Sequence, residues 1–288
     1  PNETLPKGRK QKTTALYDRF VQQGAVMGDS FGLENVLWFA NNKEDAHEEP
    51  TIKRSRSHDY VSKEVINVRE NVGLIEVANF SKHEFKGTDA RKFLDHVMAG
   101  KLPKPGRISL SPMLSYRGKL CGDLTVACLD ENEFMVFGSG AAQEMHRRWF
   151  ESHLDKFDVN YKNRSDEFHG ISIAGPNSRK VLEKIVREDV SNEKFKFRDS
   201  KRMFVGGVPA IINRISFTGE LGYEIYVAPH YQIKLYEELM EAGREFNIKP
   251  FGGRALMSMR LEKNWGAWTL DYRPDFTAKE TGLDMFIN

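Results

Sequence analysis

The stretch Ile215–Val227, ISFTGELGYEIYV, decides how the second half of the chain is read. Ile215, Phe217, Ile225 and Val227 are β-formers, yet Thr218-Gly219-Glu220-Leu221-Gly222 interrupts them. Gly219 and Gly222 can take positive φ or admit a close backbone approach, so the interruption reads as a tight turn between strands. Just beyond it a carboxylate, Glu224, sits among Tyr223, Ile225 and Tyr226. A ligand platform fits this stretch, and so does a plain hairpin whose glutamate faces solvent.

Outward from the turn, strand and helix patterns alternate in both halves. VGLIEVA (72–78), HGISIAG (169–175) and MFVGGVPAIINRISF (203–217) read as strands. The segment 107–140 reads strand, turn, strand, turn, strand, with Asp130-Glu131-Asn132 as the second turn. TDARKFLDHVMAG (88–100) is a helix with Phe93, Leu94, Val97 and Met98 on one face, Thr88 as N-cap and Gly100 ending it. Further helices are read at 141–154, at 176–188 from Pro176 near its first position, at 229–246 and at 252–265. The class is α+β, antiparallel sheets with flanking helices. The expected division is a linker over 1–12, one subdomain over 13–155 and a second over 156–288. Residues 41–57 read as a surface loop, and Trp38-Phe39 as exposed.

The 288 residues are 40% hydrophobic and 29% charged, with 43 basic against 41 acidic side chains. A net charge of +2 carries no bulk attraction to nucleic acid or membrane. Apolar runs fall short of the ~18 residues of a membrane span, and no secretory leader pattern opens the chain. Cys121 and Cys128 lack metal-site or redox spacing and read as reduced thiols, which places the chain in the cytoplasm or an organelle matrix. It starts at Pro1 and stops after the apolar GLDMFIN, so a piece of a longer protein is expected.

Familiar catalytic signatures are missing. There is no G-x-G-x-x-G, P-loop, H-E-x-x-H or G-x-S-x-G, so no dinucleotide fingerprint and no metal site is read. Two carboxylates remain. Asp123, in YRGKLCGDLTV (116–126), follows a glycine turn at the mouth of a strand and could equally cap local N–H groups. Glu224 is the other.

The order of RGKLCGDLTV, FGSG, GISIAGPNSRKVLEKI, RISFTGELGYEIYV and RALMSMRLEKNWGAWTLDYRPDFTAKETGLDMFI resembles the folate-binding aminomethyltransferase family, whose prototype is the glycine cleavage T-protein. The opening TALYDRFVQQGAVMGDSFGLENVLWFA is closer to the folate module of dimethylglycine and sarcosine dehydrogenases. The resemblance runs from about residue 13 to the end. It implies that Glu224 accepts the adjacent N–H donors of a pterin edge, a fork that is strong when shielded from water. Phe217, Ile225, Tyr226, Leu124 and Thr125 would complete the folate site. Asp123 would act by the reactive pterin nitrogens, stabilising positive charge and handling a proton.

What the resemblance implies is a tetrahydrofolate-dependent transferase that captures the methylene of an N-methyl amine-derived iminium as 5,10-methylenetetrahydrofolate. Its FAD would sit in an upstream flavin domain or subunit absent from this chain. A folate-dependent O- or S-demethylase and a non-catalytic folate-binding module are the alternatives. Departures are visible: Phe217 stands where T-proteins carry tyrosine, Leu256 where they carry arginine, and Glu76 and Ala78 where they favour Asp and Ser or Thr. The family's C-terminal barrel, which follows GLDMFI, is absent.

Overall fold

The computed structural model describes residues 6–48 and 51–288. In chain order, α1 (Tyr17–Gln22) leads into the hairpin β1 (Ala25–Ser30) and β2 (Leu33–Phe39). Next come α2 (Ser57–Glu70), β3 (Val72–Glu76), β4 (Phe80–Lys86) and α3 (Ala90–Val97). The meander β5 (Arg107–Leu114), β6 (Leu120–Asp130) and β7 (Glu133–Ser139) is followed by α4 (Gln143–Glu151), β8 (Asn160–Asn163), β9 (His169–Ala174) and α5 (Ser178–Glu183). Last are β10 (Ser200–Val205), β11 (Val208–Asn213), β12 (Gly222–Val227), α6 (Gln232–Ala242), β13 (Ile248–Pro250) and α7 (Gly253–Glu262).

Two compact units share these elements, and neither follows sequential halves split at 155/156. The first takes the N-terminal residues through Ala78, then His169–Lys196 and Met203–Trp265. Its six-stranded sheet runs β10-β11-β12-β9-β3-β13. Tyr223, Ile225 and Val227 of β12 join Ile171 and Ile173 of β9, Val181 and Leu182 of α5, and Leu235 and Leu239 of α6 in one core. Strand alternation sends Glu224 and Tyr226 to the other face.

The second unit takes Asn79–Phe168, Phe197–Arg202 and Gly266–Asn288. Its five-stranded sheet, β5-β6-β7-β4-β8, is antiparallel throughout. Phe93, Leu94 and Val97 of α3 and Phe150 of α4 pack on Leu124, Val126, Phe134 and Val136. Among the described residues no sheet closes into a barrel.

Several local expectations are corrected. Residues 9–12 are not a free linker: Arg9 pairs with Glu34 across 2.5 Å, and Lys12 exchanges backbone hydrogen bonds with Gly32 and Glu34. Residues 1–5 of that stretch lie outside the described residues. Trp38 is fully buried rather than exposed, because Tyr60 of α2 covers its ring and its Nε1 donates to Glu48 at 2.7 Å. Helix α3 is capped at Asp89, not Thr88, whose hydroxyl turns away to donate to Asp158, and it ends at Val97 before Gly100. Helix α5 begins at Ser178 rather than at Pro176.

Candidate functional site

The opening stretch folds differently from a plain hairpin. Strand β11 stops at Asn213, and residues 214–221 form an irregular loop before β12. Its side chains explain the early stop, since Arg214 reaches across to the carbonyl of Phe195 and to Asn192. Ser216 and Thr218 exchange a 2.7 Å hydroxyl bond, and Glu220 N–H donates to Thr218 Oγ1. Gly219 sits at φ 86°, and a Cβ on Gly222 would stand 2.7 Å from Ser216 Cβ. Both glycines are therefore required, one for conformation and one for approach.

Beyond the loop, antiparallel register lines up Asn213, Glu224, Ser172 and Ile75 across four strands. Glu224 is 7% exposed, and the Tyr226 hydroxyl donates to its Oε2 at 2.8 Å. Tyr226 lies over Gly170, where a Cβ would come within 2.7 Å of its ring. Burial, reinforced by the charge of Glu224, pushes the Tyr226 hydroxyl well above the usual phenol range, so it stays a donor. Lys263, from the MRLEK motif, donates to Ser216 O at 3.0 Å. Burial lowers the Lys263 ammonium and the charge of Glu224 opposes that shift. Lys263 was not among the site residues read from sequence. Its motif was visible, but only the fold brings α7 to this loop.

Asp123 stands in the other unit. It lies inside β6, opposite Pro112, rather than at a strand mouth after a glycine turn. The turn comes earlier, at Gly118 with φ 70°, and Gly122 serves a different purpose. A Cβ there would meet His146 Nε2 at 2.8 Å, and one on Gly138 would meet His146 Nδ1 at 3.0 Å. The two glycines let the His146 ring lie on the sheet, on the face opposite Asp123.

By surface area Asp123 is only half-buried. Protein nevertheless crowds its carboxyl closely, and desolvation pushes it up to about 7, with a hydrogen bond from its own backbone N–H acting the other way. No other side chain among the described residues bonds it. A carboxyl shifted this way with no ion pair among the described residues is a candidate acid or base.

The remaining expected site residues divide. Thr125 shares the Asp123 face, in register with Leu110 and Phe137. Phe217 is half-buried in the loop before β12. Leu124 and Ile225 are fully buried in the two hydrophobic cores, on the faces opposite Asp123 and Glu224. Their side chains therefore point away from the two carboxylates, since odd and even positions of one strand cannot share a face. Among the described residues no three His, Cys, Asp or Glu side chains gather as a metal site. No described helix is long and apolar enough to cross a membrane.

These features define an α+β protein with two mid-strand carboxylates on sheet faces turned away from the cores. Its fold matches the crystal structure of the glycine cleavage system aminomethyltransferase T from Bartonella henselae, with TM-score 0.81 over 97% of this chain and 70% of that one, at 22% identity. Residues 16–288 match the family model described as the GCVT N-terminal domain, and the chain belongs to that family. It is 36% identical over 291 residues to dimethylglycine dehydrogenase, mitochondrial, of Homo sapiens, covering 100% of this chain and 33% of that protein. Sarcosine oxidase subunit alpha of Rhizobium meliloti is 34% identical over 88% of this chain and 25% of its own length. Aminomethyltransferase of Desulfitobacterium hafniense is 27% identical over 96% of this chain and 70% of its own. The chain thus spans a minor part of the dehydrogenase and oxidase relatives.

Proposed function

We propose that the chain is a tetrahydrofolate-dependent one-carbon transferase module. It takes the methylene of an iminium made by two-electron oxidation of an N-methyl amine, the electrons passing to a flavin on an adjoining domain or subunit. The observation that carries this reading is the Asp123 carboxyl, set mid-strand on the face of β6 turned away from the core, raised to about 7 and bonded by no side chain among the described residues. Its family membership supplies the context.

The donor set fits the cofactor. A pterin edge offers neighbouring N–H donors, and Glu224 offers a shielded carboxylate whose Oε2 is held by Tyr226. Tetrahydrofolate, when bound, supplies the nucleophilic nitrogen that receives the carbon. Glu224 orients that edge, and Tyr226 keeps the carboxylate in one rotamer. Asp123 changes charge near neutral pH, so it can hold a proton or oppose a positive charge at the reacting carbon. Similarity to dimethylglycine dehydrogenase and to a sarcosine oxidase subunit favours an amine over an ether or thioether donor. The mitochondrial label of the human relative favours the matrix as the compartment in a eukaryote.

Calorimetric titration of the complete protein with tetrahydrofolate and with NAD tests binding. Single-turnover formation of 5,10-methylenetetrahydrofolate from an N-methylglycine substrate tests the chemistry. Folate binding with no transfer would leave a binding module, and tight NAD binding without folate binding would overturn the reading altogether.

A further inference from the structure

On the helix-covered face of the six-stranded sheet, opposite Glu224, two arginines meet one amide oxygen. Arg214 follows β11, and its Nη2 donates to Asn192 Oδ1 at 2.6 Å. Arg179 of α5 donates to the same oxygen through Nη2 at 2.6 Å and to Tyr223 Oη through Nε at 3.2 Å. Arg214 also donates to the carbonyl of Phe195, whose ring stacks on Tyr223.

Among the described residues the acceptors of these two arginines are a hydroxyl, an amide oxygen and a carbonyl, with no carboxylate. Glu183 acts on Tyr223 through its charge, without a hydrogen bond. Arg214 is 9% exposed, and its buried Nε has no acceptor. The Tyr223 hydroxyl receives a bond from Arg179 yet has no acceptor for its own proton among the described residues. Two like charges held on a neutral oxygen repel each other, and a buried guanidinium without a carboxylate bears its full desolvation cost. A clamp for the loop bearing Asn192 needs only one arginine. Two guanidinium forks, a spare hydroxyl donor and an exposed amide at the mouth match the recognition of an oxyanion.

We propose that Arg179, Arg214 and the Tyr223 hydroxyl form a binding site for a free oxyanion, a phosphate or carboxylate group, which takes the place of Asn192 Oδ1. Tyr223 and Glu224 are adjacent in β12 and point to opposite faces, so this site is separate from the one proposed for folate. An anion bound here would replace the tie that Asn192 makes from the 190–196 loop to α5 and to the end of β11.

The test is thermal unfolding of the intact protein in inorganic phosphate, formate or chloride at matched ionic strength, together with calorimetric titration. Phosphate at ten times its Kd is expected to raise Tm by about 2–5 °C and to saturate. Formate in place of phosphate as the saturating ion would assign the site to carboxylates. Arg179→Gln is expected to abolish the response. Asn192→Asp places a carboxylate between the two guanidiniums and is expected to raise the starting Tm while removing the response. Equal effects of all three salts, or a phosphate response that persists in Arg179→Gln, would overturn the site and leave two arginines that only tether a loop.

Discussion

Tyr226 donates its hydroxyl proton to Glu224 Oε2 at 2.8 Å, two residues along one strand and on one face of the sheet. A phenol buried over Gly170 thereby fixes a buried carboxylate in one orientation. Replacing Tyr226 by Phe leaves the ring packing and removes the donor. Loss of a bond to a charged group costs about 1.5–3 kcal/mol. We expect urea unfolding of Tyr226→Phe to show destabilisation of that order, with folate affinity reduced alongside. A variant as stable as the wild type would mean that the carboxylate finds an equal partner elsewhere.

Glu224→Ala is expected to act mainly on folate binding. It removes a shielded, charge-assisted acceptor and leaves pterin donors unpaired, which costs roughly 2–4 kcal/mol. A titration of the folded variant is the measurement. An unchanged Kd would make Glu224 a strand residue with no part in recognition.

For Asp123 the pH sign can be worked out. Its carboxyl is raised from 3.8 to about 7 in the folded chain, so the folded state favours the neutral form. Stability from this group is present at acid pH and is lost as pH rises through about 7. Asp123→Asn is therefore expected to raise Tm relative to the wild type at pH 8 and to change it little at pH 4. The same change should slow one-carbon transfer by on the order of 10²–10³ and flatten the limb of the rate profile near pH 7. Folate affinity should fall far less. A rate untouched by Asp123→Asn would return this aspartate to a structural role.

His83 and His146 face each other in the core of the second unit, with ring centroids 6.0 Å apart, and both are fully buried. Burial, with a smaller contribution from the neighbouring His146 and Lys82 charges, lowers His83 from 6.5 to about 3. Burial lowers His146 to about 4. Unfolded histidines take up protons below about pH 6.5 while these stay neutral, so acid removes stability at about 1.4 kcal/mol per pH unit for each. Asp123, and Glu64 (raised to about 7 by burial), work against this slope between pH 4.5 and 7. The difference between wild type and His146→Leu isolates the histidine. Unfolding free energy should depend on pH less steeply in the variant by about that amount between pH 4.5 and 6.5. Parallel curves would show that His146 is protonated in the folded chain.

Much of the fold was legible because alternation and helical spacing report burial directly. The meander over 107–140, the Phe93-Leu94-Val97 face and the apolar run of β9 all appear where periodicity placed them. Helix α2 escaped notice, since its interior, SHDYVSKEVINVRE, is mostly polar and only Ser57, Asn67 and Val68 are buried. The β-forming Ile215 and Phe217 lie outside any strand, because hydrogen bonds from Arg214, Ser216 and Thr218 outweigh local propensity.

By itself the sequence determined the family, the α+β class and the two carboxylates that stand out. Those are properties of residue type and order, which need no third dimension. Tertiary structure decided the rest. It placed Leu124 and Ile225 in the cores, brought Lys263 to the loop before β12, and gave Gly122 to the ring of His146 rather than to a turn. It also brought Arg179 and Arg214 onto one amide oxygen and set the Tyr223 hydroxyl against Arg179, from three separate segments. Which face a side chain takes, and how far it is stripped of water, depends on strands and helices distant in sequence. The chemistry of a carboxylate or guanidinium follows from that packing.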